Sequence, residues 1–331
     1  MSDSAAAPAV SVLLCIHNGE RFLAATLDSL FAQSFKDFEL VAVDDGSSDS
    51  STQIVENYRD SRVRLIRQRQ QGAAAALDTA WRAARGEYIA LLDQDDLWIH
   101  NKLAIHIDTH RRRPEIELTF SWFRVISDAG HEIGVHSSRH RGTIDFQSLL
   151  TDFVIGATSN VVLRRTALEK VDGIDRTLPA LYDLDLCLRV ALLSPHNVLA
   201  IDQDLMLYRR HDSQVSRDLT ALERQWDQAL CKFQALAPDA FRRVSSQARS
   251  NMDRYFASLA YEDYNYARAL QFLRKGWRES PAHFLAKPRN WLTLGACTSG
   301  ILFPAAMHQK LERLAGLKRK GPVRLNRSPS V

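Results

Sequence analysis

The chain has 331 residues, 45% of them hydrophobic and 25% charged, and carries a net charge of +4. That composition excludes wholesale disorder, collagen and coiled coil, and the length suffices for one large domain or two ordinary ones with a substantial core. Four scattered cysteines, Cys15, Cys187, Cys231 and Cys297, form no C-x-x-C pair, which argues against a disulfide framework or a zinc module and for a reducing compartment.

Met1–Pro8 is small and acidic, without a basic stretch followed by an apolar run, so no secretory pattern is visible and the cytosol or the cytosolic face of a membrane is expected. Val10–Ile16 is a continuous β-rich run, the pattern of a strand buried on both faces. Glu20–Gln33 places Phe22, Leu23, Leu27, Leu30 and Phe31 on one helical stripe. Phe38–Val43 reads as a strand, Ser48–Tyr58 as a helix opened by Ser and Asp, Val63–Ile66 as a short strand and Ala73–Ala84 as a helix. Tyr88–Leu92 is a further strand, and Trp98–His110 a helix that Pro114 stops. This β-α-β-α-β-α-β order predicts an α/β fold with a mostly parallel sheet and flanking helices.

Beyond it the pattern is mixed. Leu118–Val125, Asn160–Arg164 and Leu205–Arg210 are strand candidates, Tyr182–Leu193 is a helix, and the polar stretch His131–Gly142 reads as a flexible loop. From about Ala221 the chain turns helical. The expected organisation is a short N-terminus (1–8), one domain over 9–215 with halves meeting at 103, and a helical basic region over 216–331.

Charge follows the same division. Residues 1–214 hold 23 basic and 30 acidic side chains, a balance of −7, while residues 215–331 hold 20 and 9, a balance of +11. An acidic front suits a metal ion, and a basic back suits phosphate or an anionic lipid surface, or is simply a solvated helical face.

In open parallel sheets, ligands gather at the carboxyl ends of the strands. Three expected strands end in polar groups: Cys15-Ile16-His17-Asn18-Gly19-Glu20, Asp44-Asp45-Gly46-Ser47-Ser48-Asp49 and Asp93-Gln94-Asp95-Asp96. A lone acidic turn is usually a helix cap. Two acidic strand ends in one sheet crowd carboxylates that repel one another unless a cation binds, and Mg²⁺ or Mn²⁺ on a diphosphate meets that need. Neither G-x-G-x-x-G nor G-x-x-x-x-G-K-[ST] occurs, which disfavours a dinucleotide dehydrogenase and a P-loop NTPase.

The segments Val10–Glu20, Glu39–Asp49 and Gly86–Asp96, in this order and spacing, resemble family-2 glycosyltransferases, closely over residues 9–103 and more loosely to about 215. The resemblance implies a GT-A fold and an inverting transfer from a nucleotide-diphosphate sugar. It implies that Asp93-Gln94-Asp95 is the D-x-D motif, with Asp93 near the ribose and Asp95 on the metal, and that Asp45 holds the base. It further implies that Cys15, His17, Asn18 and Glu20 belong to the nucleotide-sugar pocket. Tyr182-Asp183-Leu184-Asp185-Leu186-Cys187-Leu188-Arg189 resembles the E-D-x-D-L-x-x-R segment, which makes Asp183 the general base. Tyr208-Arg209-Arg210-His211 resembles the late Y-R-x-H element, whose histidine completes the metal site, and Gly156-Ala157-Thr158 falls at the acceptor side. The chain departs from the family pattern at Cys15 (commonly Pro), His17 (commonly Tyr), Leu77-Asp78 (commonly Arg-Asn) and Tyr182 (commonly Glu).

The implied cofactor is a divalent metal, and the implied partners are a nucleotide-diphosphate sugar and a glycan or lipid-linked glycan acceptor. No nucleic-acid motif is present, and the processive Q-x-x-R-W signature is absent, which favours transfer of one sugar. A sugar nucleotidyltransferase and a non-catalytic nucleotide-sugar scaffold are the alternatives. His106 and His110 stand at i, i+4, but Ile107 occupies the position where H-E-x-x-H needs Glu. Trp291–Met307 is apolar, interrupted by Pro304 and flanked by Lys287, Arg289, Lys310 and Arg313. At about 17 residues it suits a helix lying on a membrane better than one crossing it, or a contact with another subunit.

Overall fold

An unbroken apolar strand needs partners on both edges and cover on both faces. β1 (Val10–Ile16) has both: it lies between β2 (Phe38–Asp45) and β4 (Tyr88–Asp93), parallel to each, with Cys15 level with Val43 on one side and Asp93 on the other. The computed structural model describes residues 7–212, 218–303 and 307–308. β3 (Val63–Gln68) completes the parallel half beyond β2. Helices α1 (Leu23–Phe31), α2 (Ser51–Asn57) and α3 (Ala73–Ala83) make the crossovers. The core under them joins Val12, Leu14, Leu23, Leu27, Leu40 and Leu92. Gly86, ahead of β4, is required by close approach, because a Cβ there would stand 2.4 Å from Ser11 N.

The sheet continues through β5 (Leu97–Trp98), β6 (Leu118–Ile126), β7 (Glu132–His136), β8 (Gly142–Ile144), β9 (Val162–Arg164) and β10 (Val198–Arg209). Its path is β3-β2-β1-β4-β9-β6-β10-β5, with β7 on β6 and β8 on β10. β9 pairs antiparallel with both β4 and β6, whereas β6 and β10 run parallel. Around it lie α4 (Lys102–Arg112), α5 (Phe146–Thr151), α6 (Arg165–Lys170) and α7 (Tyr182–Ala191). The expected α/β architecture with a largely parallel sheet is what the chain adopts.

Three local expectations are corrected. Trp98 does not open a helix: β5 pairs with β10 at Met206 and Leu207, the Trp98 indole donates to Ser159 O at 3.0 Å, and the helix begins at Lys102. His131–Gly142 is not a featureless loop, since β7 pairs with β6 as a hairpin. Its exposed Glu132, Gly134 and His136 alternate with the half-buried Ile133 and Val135, so the polar face hides the strand. The last strand starts at Val198, not Leu205, with register shifts near Asp204 that break its apolar pattern.

The chain divides into two compact units, Met1–Arg243 and Val244–Val331. The first includes α8 (Leu219–Leu236), capped by Asp218, whose carboxylate accepts from Thr220 N and Ala221 N. Lys232 on α8 pairs with Asp175 and with the fully buried Asp185, both at 2.6 Å. α9 (Pro238–Glu262) runs across the division. In the second unit, α10 (Tyr266–Glu279) buries Phe272 and Leu273, and α11 (Pro281–Leu285) and α12 (Pro288–Leu302) follow. No helix among the described residues is long and apolar enough to cross a membrane. Pro304, Lys310, Arg313 and the basic tail after them lie outside the described residues, as do Met1–Ala6.

Candidate active site

The parallel register carries three polar strand ends to one edge of the sheet. After β1, His17 is held at both backbone groups by one side chain: Gln94 Oε1 accepts from His17 N at 2.9 Å and Gln94 Nε2 donates to His17 O at 3.0 Å. The His17 ring donates through Nδ1 to Asp45 O, which leaves Nε2 an acceptor for Gln70 Nε2 at 3.2 Å. Asn18, in the left-handed region at φ +49°, accepts from Ser48 N, while Ser50 N donates to Glu20 and Glu20 N to Asp49. Asn18 and Glu20 thus tie the β1–α1 loop to the β2–α2 loop. Cys15 lies on the same strand, and burial, with Asp45, Asp93 and Asp44 nearby, pushes its thiol up and keeps it protonated.

At the end of β2, Asp45 accepts from Gln68 Nε2 (2.7 Å), Gln71 N (2.8 Å) and Gly72 N (2.7 Å). Of the roughly four acceptor positions on a carboxylate, about one remains for a ligand N–H. Asp44 instead braces its own turn, accepting from Ser47 N and Thr52 Oγ1.

The β4–β5 turn holds the third set. Asp95 Oδ2 accepts from His211 Nε2 at 2.8 Å, joining the acidic turn to the residues after β10. Arg209 reinforces the junction: its Nε donates to Asp95 O at 2.8 Å and its amide to Asp96 Oδ1 at 2.9 Å. Phe22 lies under both, its ring 4.8 Å from the His211 ring and 4.8 Å from the Arg209 guanidinium carbon. Asp96 and Arg209 were not among the expected site residues, although both stood inside the quoted motifs; their neighbours carried the recognised pattern.

On the other side, a 3-10 turn at Thr158–Asn160 links the acidic turn to α7. Thr158 Oγ1 lies 3.1 Å from the Tyr182 hydroxyl and 3.5 Å from Asp183 Oδ2. Ser159 Oγ accepts from Asp93 N at 2.9 Å. Asn160, fully buried, accepts from Ser121 N and Oγ and donates to Ser121 O and Ile155 O. Gly156 has φ +73° and Ala157 is buried beside it. Ser159 and Asn160 are not among the expected site residues: Asn160 reads as the start of a strand, whereas it closes the 3-10 turn and the strand begins at Val162. Asp78, at a departure from the family pattern, is buried and anchors Arg176 at 2.6 Å and Arg82 at 2.9 Å.

The family model for glycosyl transferase family 2 matches residues 11–172. Among curated proteins, the chain is 31% identical over 222 residues to the UDP-Glc:alpha-D-GlcNAc-diphosphoundecaprenol beta-1,3-glucosyltransferase WfgD of Escherichia coli, covering 66% of this chain and 84% of that protein. The chain belongs to glycosyltransferase family 2. A second Escherichia coli glucosyltransferase of the same described activity, WfaP, is 31% identical over 211 residues, 62% of this chain and 79% of its own. Among solved structures, Staphylococcus aureus TarS (residues 1–349) in complex with UDP-GlcNAc superposes with a TM-score of 0.63 at 16% identity, over 87% of this chain and 90% of that one. The mannosyltransferase PcManGT of Pyrobaculum calidifontis, in complex with GDP-Man and Mn²⁺, superposes with a TM-score of 0.56 at 18% identity, over 94% and 85%. At these identities the likeness establishes the fold.

Carboxylates crowd this glycosyltransferase's crevice. Burial, then the charges of Asp96, Asp95 and Asp183, push Asp93 well above the ordinary carboxylate range. Burial and Asp95 raise Asp96 to about 8 against hydrogen bonds from Ser159 and Arg209. Burial lifts Asp183 to about 6, opposed by hydrogen bonds from Leu184 N and Thr158. Among the described residues no three His, Cys, Asp or Glu side chains form a ready-made cation site. The donor set nonetheless fits one of partial type, a carboxylate oxygen and an imidazole nitrogen 2.8 Å apart, since Mg²⁺-class ions are held by one or two carboxylates and completed by substrate phosphates. His106 and His110 face inward instead: His106 contacts Lys102 Nζ and Thr119 Oγ1, and His110 contacts Val162 O.

Proposed function

We propose that this family-2 glycosyltransferase moves one sugar from a nucleotide-diphosphate sugar to a hydroxyl of a glycan or lipid-linked glycan, with inversion at the anomeric carbon and Asp183 as general base. The observation that carries this reading is the Thr158-Ser159 pair, which ties the Asp183 carboxylate and the Asp93 backbone into one frame. A base and the sugar side of the donor pocket held by adjacent residues suit an in-line displacement.

The acceptor hydroxyl gives its proton to Asp183 as its oxygen forms a bond to the anomeric carbon, while the bond from that carbon to the diphosphate breaks and its electron pair leaves with the nucleotide. An acid near 6 is ionised at neutral pH yet basic enough to take a proton in the transition state. Asp45 and the His17 ring shape the base pocket, and Asp93 sits at its sugar side. Asp95 and His211 would hold a divalent cation, which supplies Lewis-acid neutralisation of the departing diphosphate. WfgD and WfaP act, by name, with UDP-Glc on a GlcNAc-diphosphoundecaprenol, which makes UDP-glucose the first donor and a diphosphoundecaprenol-linked sugar the first acceptor to try.

The test is transfer from UDP-glucose, UDP-GlcNAc and GDP-mannose with Mg²⁺ or Mn²⁺, with the product's anomeric configuration read by NMR. Inverted product from one donor class, lost in Asp183→Asn, is the expected result. Retained configuration, or an Asp183→Asn variant at wild-type rate, would overturn the reading.

A further inference from the structure

Among the described residues of the second unit, one surface is left open. α12 buries Asn290, Ala296 and Cys297 and turns Trp291, Leu292, Gly295, Thr298, Ile301 and Leu302 outward. From Trp291 to Phe303 there is no charged residue. Surface helices ordinarily place polar and charged groups opposite the buried stripe. Here the outward face is apolar, with Leu302 67% and Trp291 47% exposed.

The patch extends onto the neighbouring helices of the same unit. Trp277 of α10, Phe284 of α11 and Trp291 form an edge-to-face series, with ring centroids 5.7 and 6.5 Å apart. Phe284 is buried at its centre, while Trp277, Leu285 and Trp291 stand out on either side. Contiguous exposed apolar surface of this kind marks an interaction site.

Charge selects the partner. Arg274 and Arg278 are exposed on α10 beside Trp277, and Lys287 and Arg289 bracket the start of α12. From Ser280 to the end of the chain there are nine Lys and Arg against one acidic residue, Glu312. Two tryptophans at the edge of an uncharged helical face with a basic flank are the features of an interfacial helix on anionic lipid, where indole rings sit at headgroup level and Lys and Arg meet the phosphates. α12 spans 15 residues, short of a membrane crossing, a length that suits a helix lying along a bilayer.

We infer that α12, with Trp277 and Leu285 beside it, is a monotopic docking surface for an anionic phospholipid bilayer. The inference goes beyond the transfer reaction and does not depend on it.

The experiment is flotation of the full chain with vesicles of phosphatidylglycerol and phosphatidylcholine, and with phosphatidylcholine alone, alongside light-scattering mass measurement without lipid. The expected result is binding to the anionic vesicles that weakens at least tenfold in Trp291→Glu/Leu292→Glu and falls as salt rises. Leu302→Glu, at the other end of the face, should act alike, and circular dichroism melting confirms that each variant is folded. If one variant does not fold, the other decides. Equal flotation of a folded variant and wild type overturns the proposal. So does absence of binding to either vesicle, including the case in which the substitutions turn a dimer into a monomer and the face proves to be a contact between copies.

Discussion

Asp95 and His211 meet at 2.8 Å although 116 residues separate them in the chain. The contact joins the turn after β4 to the residues after β10. Arg209 makes the junction rigid by binding backbone and side chain of the same acidic turn.

Removing either member should therefore affect donor binding more than folding. Asp95→Ala and His211→Ala are expected to abolish metal-dependent thermal stabilisation by a nucleotide sugar, while the unliganded melting temperature changes little. A shift equal to wild type in both variants would show that this pair does not serve the metal-diphosphate site.

Asp183 sets the pH response. Only its ionised form accepts a proton, so kcat/KM should fall about tenfold per pH unit below about 6 and level off above it. Asp183→Asn should lower kcat by about 10² to 10⁴ with donor affinity retained, as loss of a general base does. Thr158→Val removes a hydrogen bond that opposes the effect of burial, so the acid limb should move to higher pH.

Asn160 is a structural keystone of the site. Its side chain makes four hydrogen bonds, to Ser121 and Ile155, in a fully buried position. Asn160→Ala leaves backbone groups unpaired and should cost about 3 kcal/mol, read by denaturant unfolding. Ser159→Ala removes the acceptor of the Asp93 amide and a hydrogen bond to Asp96, and should lower turnover with a smaller loss of stability.

Lys232 holds α8 to the acids near α7. Burial raises Asp175, but hydrogen bonds from Lys232 and Thr177 outweigh it and hold the carboxyl at about 2. A lowered acid stabilises the fold fully above its unfolded value near 4, and the gain is lost as pH falls toward 2. Lys232→Met should cost about 2–3 kcal/mol at pH 7, where Asp185 keeps Arg189 at 2.7 Å, and less at pH 3. A cost independent of pH would remove Asp175 from the account.

Legibility in the sequence followed locality. β1, β2 and β4 were readable because a strand covered on both faces is dominated by apolar residues. The acidic ends of β2 and β4 were readable for the same reason in reverse, since polar groups ending such strands stand out. β5 was not, because its partner β10 lies far along the chain, and β7 was not, because an exposed edge strand needs no apolar run.

The sequence by itself determined the α/β order, the family and the residues that carry charge. Only the tertiary structure decided which of those charges share a crevice, that Glu20 and Asn18 brace two loops, and that Ser159 and Asn160 are buried and bonded. Burial is a property of what packs around a residue, and hydrogen-bond partners far apart in sequence are chosen by the fold. The same polar side chain is a solvated turn in one setting and a keystone in another.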